Sequence, residues 1–379
     1  MHSRDGKEYN NFIVRGGYID YQSVFLVLII AMFGVMMVYS ASTYQAMLLG
    51  VSSIYYAVKQ AKLVLAGIVA MILVSYVNYN IYRKLATFIM ALAIFLSIIV
   101  FVIGTASHGS TRWIPIGSIQ FQPSEIAKIA IAIYTANACT RYPSRMNSLK
   151  GLFSITLPQI ICIGLIALEN MSTALVCGVI MMGIILIATP NLRVFFAACG
   201  ILAALALVGI FAVGYRGARM KAWLNPESGD GYQTLQSLYA VGSGGLFGKG
   251  LGQSVQKSLI PEAHNDMIFA VICEELGVFG ATCVIILFAM LLIRFLYIAQ
   301  DAKDRFGGLL VSGIIAQLGV QVFINIGVAT NLMPNTGMAL PFISSGGTSM
   351  LILMAEMGIV MNVARQGVPY EKVKVRKRA

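Results

Sequence analysis

The chain has 379 residues, 58% of them hydrophobic and only 11% charged, with a formal net charge of +12. Apolar runs near 20 residues recur along its whole length, which excludes a soluble globular domain and marks a polytopic membrane protein. The positive charge does not indicate a nucleic-acid binder, because its placement follows membrane sidedness once the spans are set out.

Residues 1–21 are mixed and polar and are read as a cytoplasmic N-terminal segment. Apolar runs then predict about ten transmembrane helices, near 22–40, 57–77, 85–104, 123–139, 152–168, 170–188, 192–213, 267–293, 306–330 and 348–364. The fold class expected is all-α, with residues 22–364 as one membrane domain and 214–265 as a large extracytoplasmic loop. Ser40, Ala41 and Ser42 imitate a signal-peptidase site, but the nine spans that follow argue for an uncleaved first helix.

An even number of spans puts both termini on one side. With that side inward, inward segments hold eighteen of the 27 basic residues and outward segments hold eight, five of them in the long loop; Lys128 lies inside a span. The termini are therefore expected in the cytoplasm. Residues 365–379 form a basic tail suited to anionic lipid rather than to nucleic acid. The six cysteines lie in or beside apolar runs without a CxxC pair, and the three histidines are scattered, so no disulfide framework or metal cluster is indicated.

Three outward connections are unlike ordinary turns. The first, TASHGSTRWIPIGSIQFQPSEIAK, carries Arg112 and Trp113 and enters the fourth span at Pro123, a residue suited to a helix's first turn. Glu125 and Lys128, three residues apart, share a helix face and can pair, either as a structural ion pair or as part of a site.

The second, residues 214–265, is too long for a turn and too poor in apolar residues for a separate domain. Tyr232, Leu235, Leu238 and Tyr239 recur at helical spacing and predict an amphipathic helix along the outer interface, with Trp223 at headgroup level. The segment GSGGLFGKGLG fits loop packing better than phosphate binding, since it matches neither the dinucleotide fingerprint nor the P-loop spacing. Arg216, Arg219, Lys249 and Lys257 place cations on the side that the inward bias disfavours and call for an anionic partner. The third, NLMPNTGMALPFISSGGTS, is uncharged and dense in Pro, Gly, Asn, Ser and Thr. At membrane depth such a backbone lines a cavity or is buried in protein.

The chemistry gathers in LIPEAHNDMIFAVICEEL. Asp266 falls at the mouth of a predicted helix, and Glu274 and Glu275 follow eight and nine residues later, placed so that these acids can line one side of it at different depths. A carboxylate there can take a proton from a hydroxyl while nearby cations stabilise a departing phosphate. Equally, Asp266 or Asn265 can simply cap the helix. Gln317, Gln321 and Asn325 share one face of the ninth span and fit either helix packing or a groove.

RWIPIG followed by QPSEIAK, the loop GYQTLQSLYAVGSGGLFGKGLGQSVQKSLIPEAHNDMIFAVICEELG, and PNTGMALPFISSGGTS together resemble the signature segments of the SEDS family, the RodA, FtsW and SpoVE proteins of bacteria. The resemblance covers nearly the whole chain, and the SVQK element is closer to FtsW and SpoVE than to RodA. It implies a ten-helix fold and a peptidoglycan glycosyltransferase in the bacterial cytoplasmic membrane, which polymerises lipid II at the outer face and releases undecaprenyl pyrophosphate.

By the same resemblance Asp266 is the essential acid, acting as general base on the acceptor's 4-hydroxyl or as its close electrostatic partner. Arg112 and Lys128 would face pyrophosphate or sugar, Glu125 would orient Lys128, and Lys257, Ser344, Ser345, Gly346 and Gly347 would lie along the substrate groove. Asn265, Met267 and Ser345 depart from the family's usual Thr, Phe and aromatic residue, which bears on fine specificity. A class B penicillin-binding protein transpeptidase and other division or elongation membrane proteins are the implied partners. A divalent cation, Mg or Mn, could bridge pyrophosphate on chemical grounds, although no ligand cluster announces one. Two other classes stand beside the enzyme: a lipid II flippase, for which the stripe Gln317, Gln321, Asn325 would serve, and a non-catalytic scaffold for a transpeptidase.

Overall fold

A computed structural model describes residues 19–103, 105–107, 110–116, 119–211, 214–227, 231–261 and 263–367. The expected cytoplasmic tails fall mostly outside these residues. Ten helices of 18 residues or more are present among those described: α1 (Tyr21–Ala41), α3 (Ser53–Tyr76), α4 (Tyr79–Ile103), α5 (Pro123–Arg141), α6 (Leu149–Glu169), α7 (Met171–Ala188), α8 (Leu192–Phe211), α11 (Ile268–Gln300), α12 (Arg305–Ala329) and α13 (Thr348–Gln366). Three shorter helices lie between them: α2 (Thr43–Leu48), α9 (Gly214–Leu224) and α10 (Tyr232–Ser243).

Eight of the long helices are apolar and long enough to cross a membrane. The exceptions are α8, whose apolar stretch is counted only over Leu192–Ala204, and α5, which carries Glu125, Lys128 and Arg141. The helix starts follow local chemistry. Ser52, Ser148, Asn170 and Asp304 each accept a backbone amide at the start of α3, α6, α7 and α12, satisfying donors that have no partner in the first turn. Pro123 opens α5 as expected.

Several helices outrun their apolar runs because charged residues inside them find partners. Arg294 lets α11 continue to Gln300 by donating from Nε and Nη2 to Asp20, at 2.7 to 3.0 Å, just ahead of α1. Arg83, in the first turns of α4, reaches Asp304 at 4.0 Å before α12. At the same end Asn362 donates to the Ser75 carbonyl and accepts from the Tyr79 amide, joining α13 to the α3–α4 turn.

Helices α5, α12 and α13 are mostly buried. Ala127, Ala130, Ala132 and Ala136 of α5 are buried, and such small residues let helix backbones approach closely, the main source of helix association where lipid removes the hydrophobic drive.

Residues 105–121 depart from a purely helical reading. They form a three-stranded antiparallel meander, β1 (Thr105–Ser107), β2 (Ser110–Ile116) and β3 (Ile119–Phe121), with a bulge between Thr105 and Ala106. Pairing of β2 with both β1 and β3 lets the described backbone of this connection satisfy its own hydrogen-bonding groups as it returns to α5.

Candidate active site

The site lies where three connections meet the start of α11. The N-cap position of α11 belongs to Met267, with no side chain capping it, so Asp266 stands just outside the helix rather than at its cap. The backbone around the acid is held at three successive carbonyls. Ser345 N–H donates to His264 O at 2.9 Å, Ser344 Oγ to Asn265 O at 2.6 Å, and Asn325 Nδ2 to Asp266 O at 2.7 Å. The same Asn325 amide donates to Met338 O at 2.7 Å, and Ser344 Oγ accepts the Leu340 amide at 2.7 Å. Two irregular loops from different parts of the sequence are thus joined by polar bonds, so the acid's position does not depend on either loop alone.

The segment 331–347 takes its path from unusual backbone. Phe342, nearly fully buried, has φ 63, a conformation costly for a bulky side chain and retained only where the surroundings fix it. Its carbonyl runs so close to α1 that a methyl on Gly34 would stand 2.4 Å from it. Trp223 of α9, expected at headgroup level, donates its indole N–H to Asn331 O at 3.0 Å, and Arg219 donates to Asn335 O at 3.4 Å. Gln233 of α10 accepts from Asn335 Nδ2 at 2.9 Å. The face that α10 buries is the small one, Thr234, Ser237 and Ala240, while Tyr232 and Tyr239 are exposed, as an interfacial helix requires.

These elements enclose a cavity of about 950 Å³. Asp266 lines it together with His264 and Asn265, and Ser344, Ser345, Gly346 and Gly347, bonded to that loop, line it beside them. Trp113 contributes from β2, Glu125 from α5, Arg219 and Gln233 from the long loop, and Tyr56, Lys59 and Lys62 from α3. Asp266 is partly exposed, and a methyl on Gly337 would sit 3.8 Å from its Oδ2.

The remaining expected site residues fall in other places. Lys128 is 1% exposed and does not line the cavity; its Nζ lies 2.9 Å from Glu125 Oε2, so the pair faces the void through its carboxylate. The backbone of Arg112 lies in β2, and its side chain is outside the described residues. Lys257 does not line this cavity: its Nζ donates to Gly252 O at 2.7 Å and approaches Glu275 at 3.4 Å, and it borders an adjoining cavity of about 220 Å³ that shares Gln45, Pro261 and His264 with the large one.

Glu274 and Glu275 do not line one side with Asp266 either. Glu274 accepts from Lys249 Nζ at 2.7 Å, from Ser254 Oγ, and from the amides of Val255 and Gln256 at 3.2 Å. Glu275 accepts from Ser40 of α1 at 2.6 Å and from the Ser254 amide at 3.4 Å. The glycine-rich segment is the counterpart of these acids and lies against a break in α11. At Gly277, φ 67, the helix opens, and Lys249 and Gly250 donate to the carbonyls of Glu274 and Glu275 while Val278 and Phe279 donate to Gly245 and Leu246, all at 2.9 to 3.0 Å. A methyl on Gly277 would meet Gly248 N at 2.4 Å. Those glycines serve close packing.

The polar stripe of α12 is likewise mostly engaged. Gln317 donates to Glu356 of α13 at 2.8 Å and Asn325 holds the two loops, leaving Gln321 on the cavity.

The sequence model of the FtsW/RodA/SpoVE family, described as "Cell cycle protein", matches residues 21–368. The chain belongs to that family. Stage V sporulation protein E of Bacillus subtilis is 36% identical over 358 residues, covering 91% of this chain and 97% of that protein. A probable peptidoglycan glycosyltransferase FtsW of Geobacter metallireducens is 35% identical over 354 residues, covering 91% and 94%. Among solved structures, a chain of a peptidoglycan synthase complex superposes with a TM-score of 0.79 at 25% identity, covering 93% of this chain and 99% of that one. RodA of Thermus thermophilus superposes with a TM-score of 0.66 at 26% identity, covering 93% and 98%. The helical membrane fold expected from the signature segments is therefore that of the family.

The sequence reading did not single out Tyr56, Lys59, Lys62 or Gln233 as site residues. The lysines left a signal, being outward cations in the first turns of a span, against the inward bias.

Proposed function

We propose that the chain is a peptidoglycan glycosyltransferase that polymerises lipid II into glycan strands at the outer face of the bacterial cytoplasmic membrane. The observation that carries this reading is Asp266: a carboxylate with its backbone fixed at three consecutive carbonyls and its side chain on a cavity roomy enough for sugars, in a family whose named relatives include peptidoglycan glycosyltransferases. The sidedness of the basic residues supports an outward placement of this end of the molecule.

In this mechanism Asp266 accepts the proton of the acceptor sugar's 4-hydroxyl as its oxygen attacks the anomeric carbon of the donor. The new glycosidic bond forms as the bond from that carbon to the pyrophosphate oxygen breaks, and undecaprenyl pyrophosphate leaves with the bonding pair. Glu125, neutralised by Lys128, keeps a polar wall beside the sugars without adding net negative charge near the departing phosphate. Among the described residues no group of three His, Cys, Asp or Glu is placed to hold a metal; a Mg or Mn ion would draw its ligands chiefly from the diphosphate and water, as Mg commonly does.

The partner in this reading is a class B penicillin-binding protein transpeptidase. Its support is the likeness to a chain of a peptidoglycan synthase complex solved for the coordination of polymerization and crosslinking. The test uses the purified full chain with its cognate transpeptidase and lipid II. Glycan strands are expected from the wild type, and polymerisation about 10² to 10⁴-fold slower from folded Asp266→Ala protein. Unchanged polymerisation by that variant would overturn the assignment, and passage of lipid II across vesicles without polymer would favour the flippase.

A further inference from the structure

The reaction described above leaves one need unmet, a cationic seat for the donor's diphosphate. Among the described residues, several cations near this face are already engaged. Lys249 and Lys257 are paired with Glu274 and Glu275, and Lys128 is sealed against Glu125. Arg219 is committed to the Asn335 carbonyl. Lys59 and Lys62 differ: both are exposed, both line the large cavity, and among the described residues neither forms an ion pair or a hydrogen bond to another side chain.

Their placement is fixed by α3. Gln60, between them in sequence and buried, donates to Ser344 O at 3.2 Å and accepts from the Gly346 amide at 3.5 Å. Ser344 in turn holds Asn265, the residue before the acid. Lys59 and Lys62 are therefore tied to the same polar clamp as Asp266. Residues three apart on a helix are neighbours, with about 5–6 Å between Cβ atoms, and two flexible ammonium groups at that spacing can close on two linked phosphates. Two unpaired cations on a helix face that needs none for packing, and on the disfavoured side of the membrane, require an anion.

We propose that Lys59 and Lys62 form the diphosphate subsite of this cavity, binding the phosphates of the lipid-linked donor at headgroup depth while Asp266 addresses the acceptor hydroxyl. The inference rests on the glycosyltransferase reading for its substrate, but it makes its own claim about binding. A phosphate of the bulk lipid headgroups offers the same chemistry and is the competing source.

The test measures binding and turnover separately in the full chain. Binding of lipid II is measured on the catalytically silent Asp266→Asn protein, with and without Lys59→Gln and Lys62→Gln, in zwitterionic vesicles and in vesicles containing phosphatidylglycerol. Both lysines are exposed and unpaired among the described residues, so the double substitution leaves no buried partner behind and the protein folds. The dissociation constant for lipid II is expected to rise on the order of tenfold or more in both vesicle types, the scale of losing charge-assisted hydrogen bonds. Lys59→Arg with Lys62→Arg is expected to restore it, and inorganic pyrophosphate to compete with lipid II only when the cations are present.

Unchanged affinity in both vesicle types would overturn the subsite, as would a loss seen only with phosphatidylglycerol, which would assign the lysines to bulk headgroups. Lipid II binding that depends on the lysines in a wild-type chain that makes no polymer would keep the subsite and sink the glycosyltransferase reading. Polymerisation with lysine-independent binding would do the reverse.

Discussion

Two neighbouring regions of this molecule are built from the same materials and put them to opposite uses. Residues 244–257 lie against the break in α11, where Glu274 and Glu275 are fully buried and both lysines of the segment are paired with them. Residues 263–267 lie against segment 331–347, where the hydrogen bonds are spent on the backbone and Asp266, Lys59 and Lys62 face a void of about 950 Å³. Both regions are rich in glycine and serine, and both bring acids and cations to one site. In the first, charge is consumed in holding a loop; in the second, neutral groups hold the backbone of the loop, and Lys59 and Lys62 enter no ion pair among the described residues. A buried ionic network carries little information about activity until its pairing is known.

The contrast can be broken most directly at Asp266. Asp266→Ala is expected to lower polymerisation by about 10² to 10⁴-fold, the range for loss of a general base, while thermal unfolding in detergent is unchanged. A variant that loses its fold together with its activity would make the acid structural and erase the distinction. Gly277→Ala probes the other region. The left-handed backbone and the contact with Gly248 are expected to cost on the order of 3 kcal/mol, read as a lower unfolding temperature, with the surviving folded fraction still active. A Gly277→Ala protein of unchanged stability but no activity would move the break into the catalytic machinery.

Ser344→Ala lies on the boundary, since that hydroxyl donates to Asn265 O and accepts from Leu340 N. The loss is expected at about 1–3 kcal/mol of stability, with kcat falling more than KM rises because the acid is mispositioned. An effect on KM alone would make Ser344 a substrate contact instead. The smallest effect is expected from Lys249→Gln. Lys249 is about one-third exposed, and Glu274 retains Ser254 and two backbone amides, so stability should change by about 1 kcal/mol or less and activity by under about twofold.

Much of this was readable before any coordinates. The ten long helices lie where apolar runs put them, because in lipid a backbone must satisfy its own hydrogen bonds and length alone sets the span. Errors at the ends have a common cause: Arg83 and Arg294 sit within helices that hydropathy ends early, and each is carried there by an aspartate distant in sequence. The meander at 105–121 was missed because its strands, of three and seven residues, give no sustained alternation.

The sequence by itself determined that this chain spans a membrane, which side its cations favour, and that an acid stands at the mouth of the helix that became α11. It did so because hydropathy, charge bias and a helix boundary are local properties. Only the tertiary structure decided that Glu274, Glu275, Lys257 and the glycine-rich loop close on each other, and that Asp266 shares a cavity with Lys59 and Lys62, some 200 residues earlier in the chain. Pairing is a relation between distant residues, and whether a charge is neutralised or left to meet a ligand depends on which other charge the fold brings within reach.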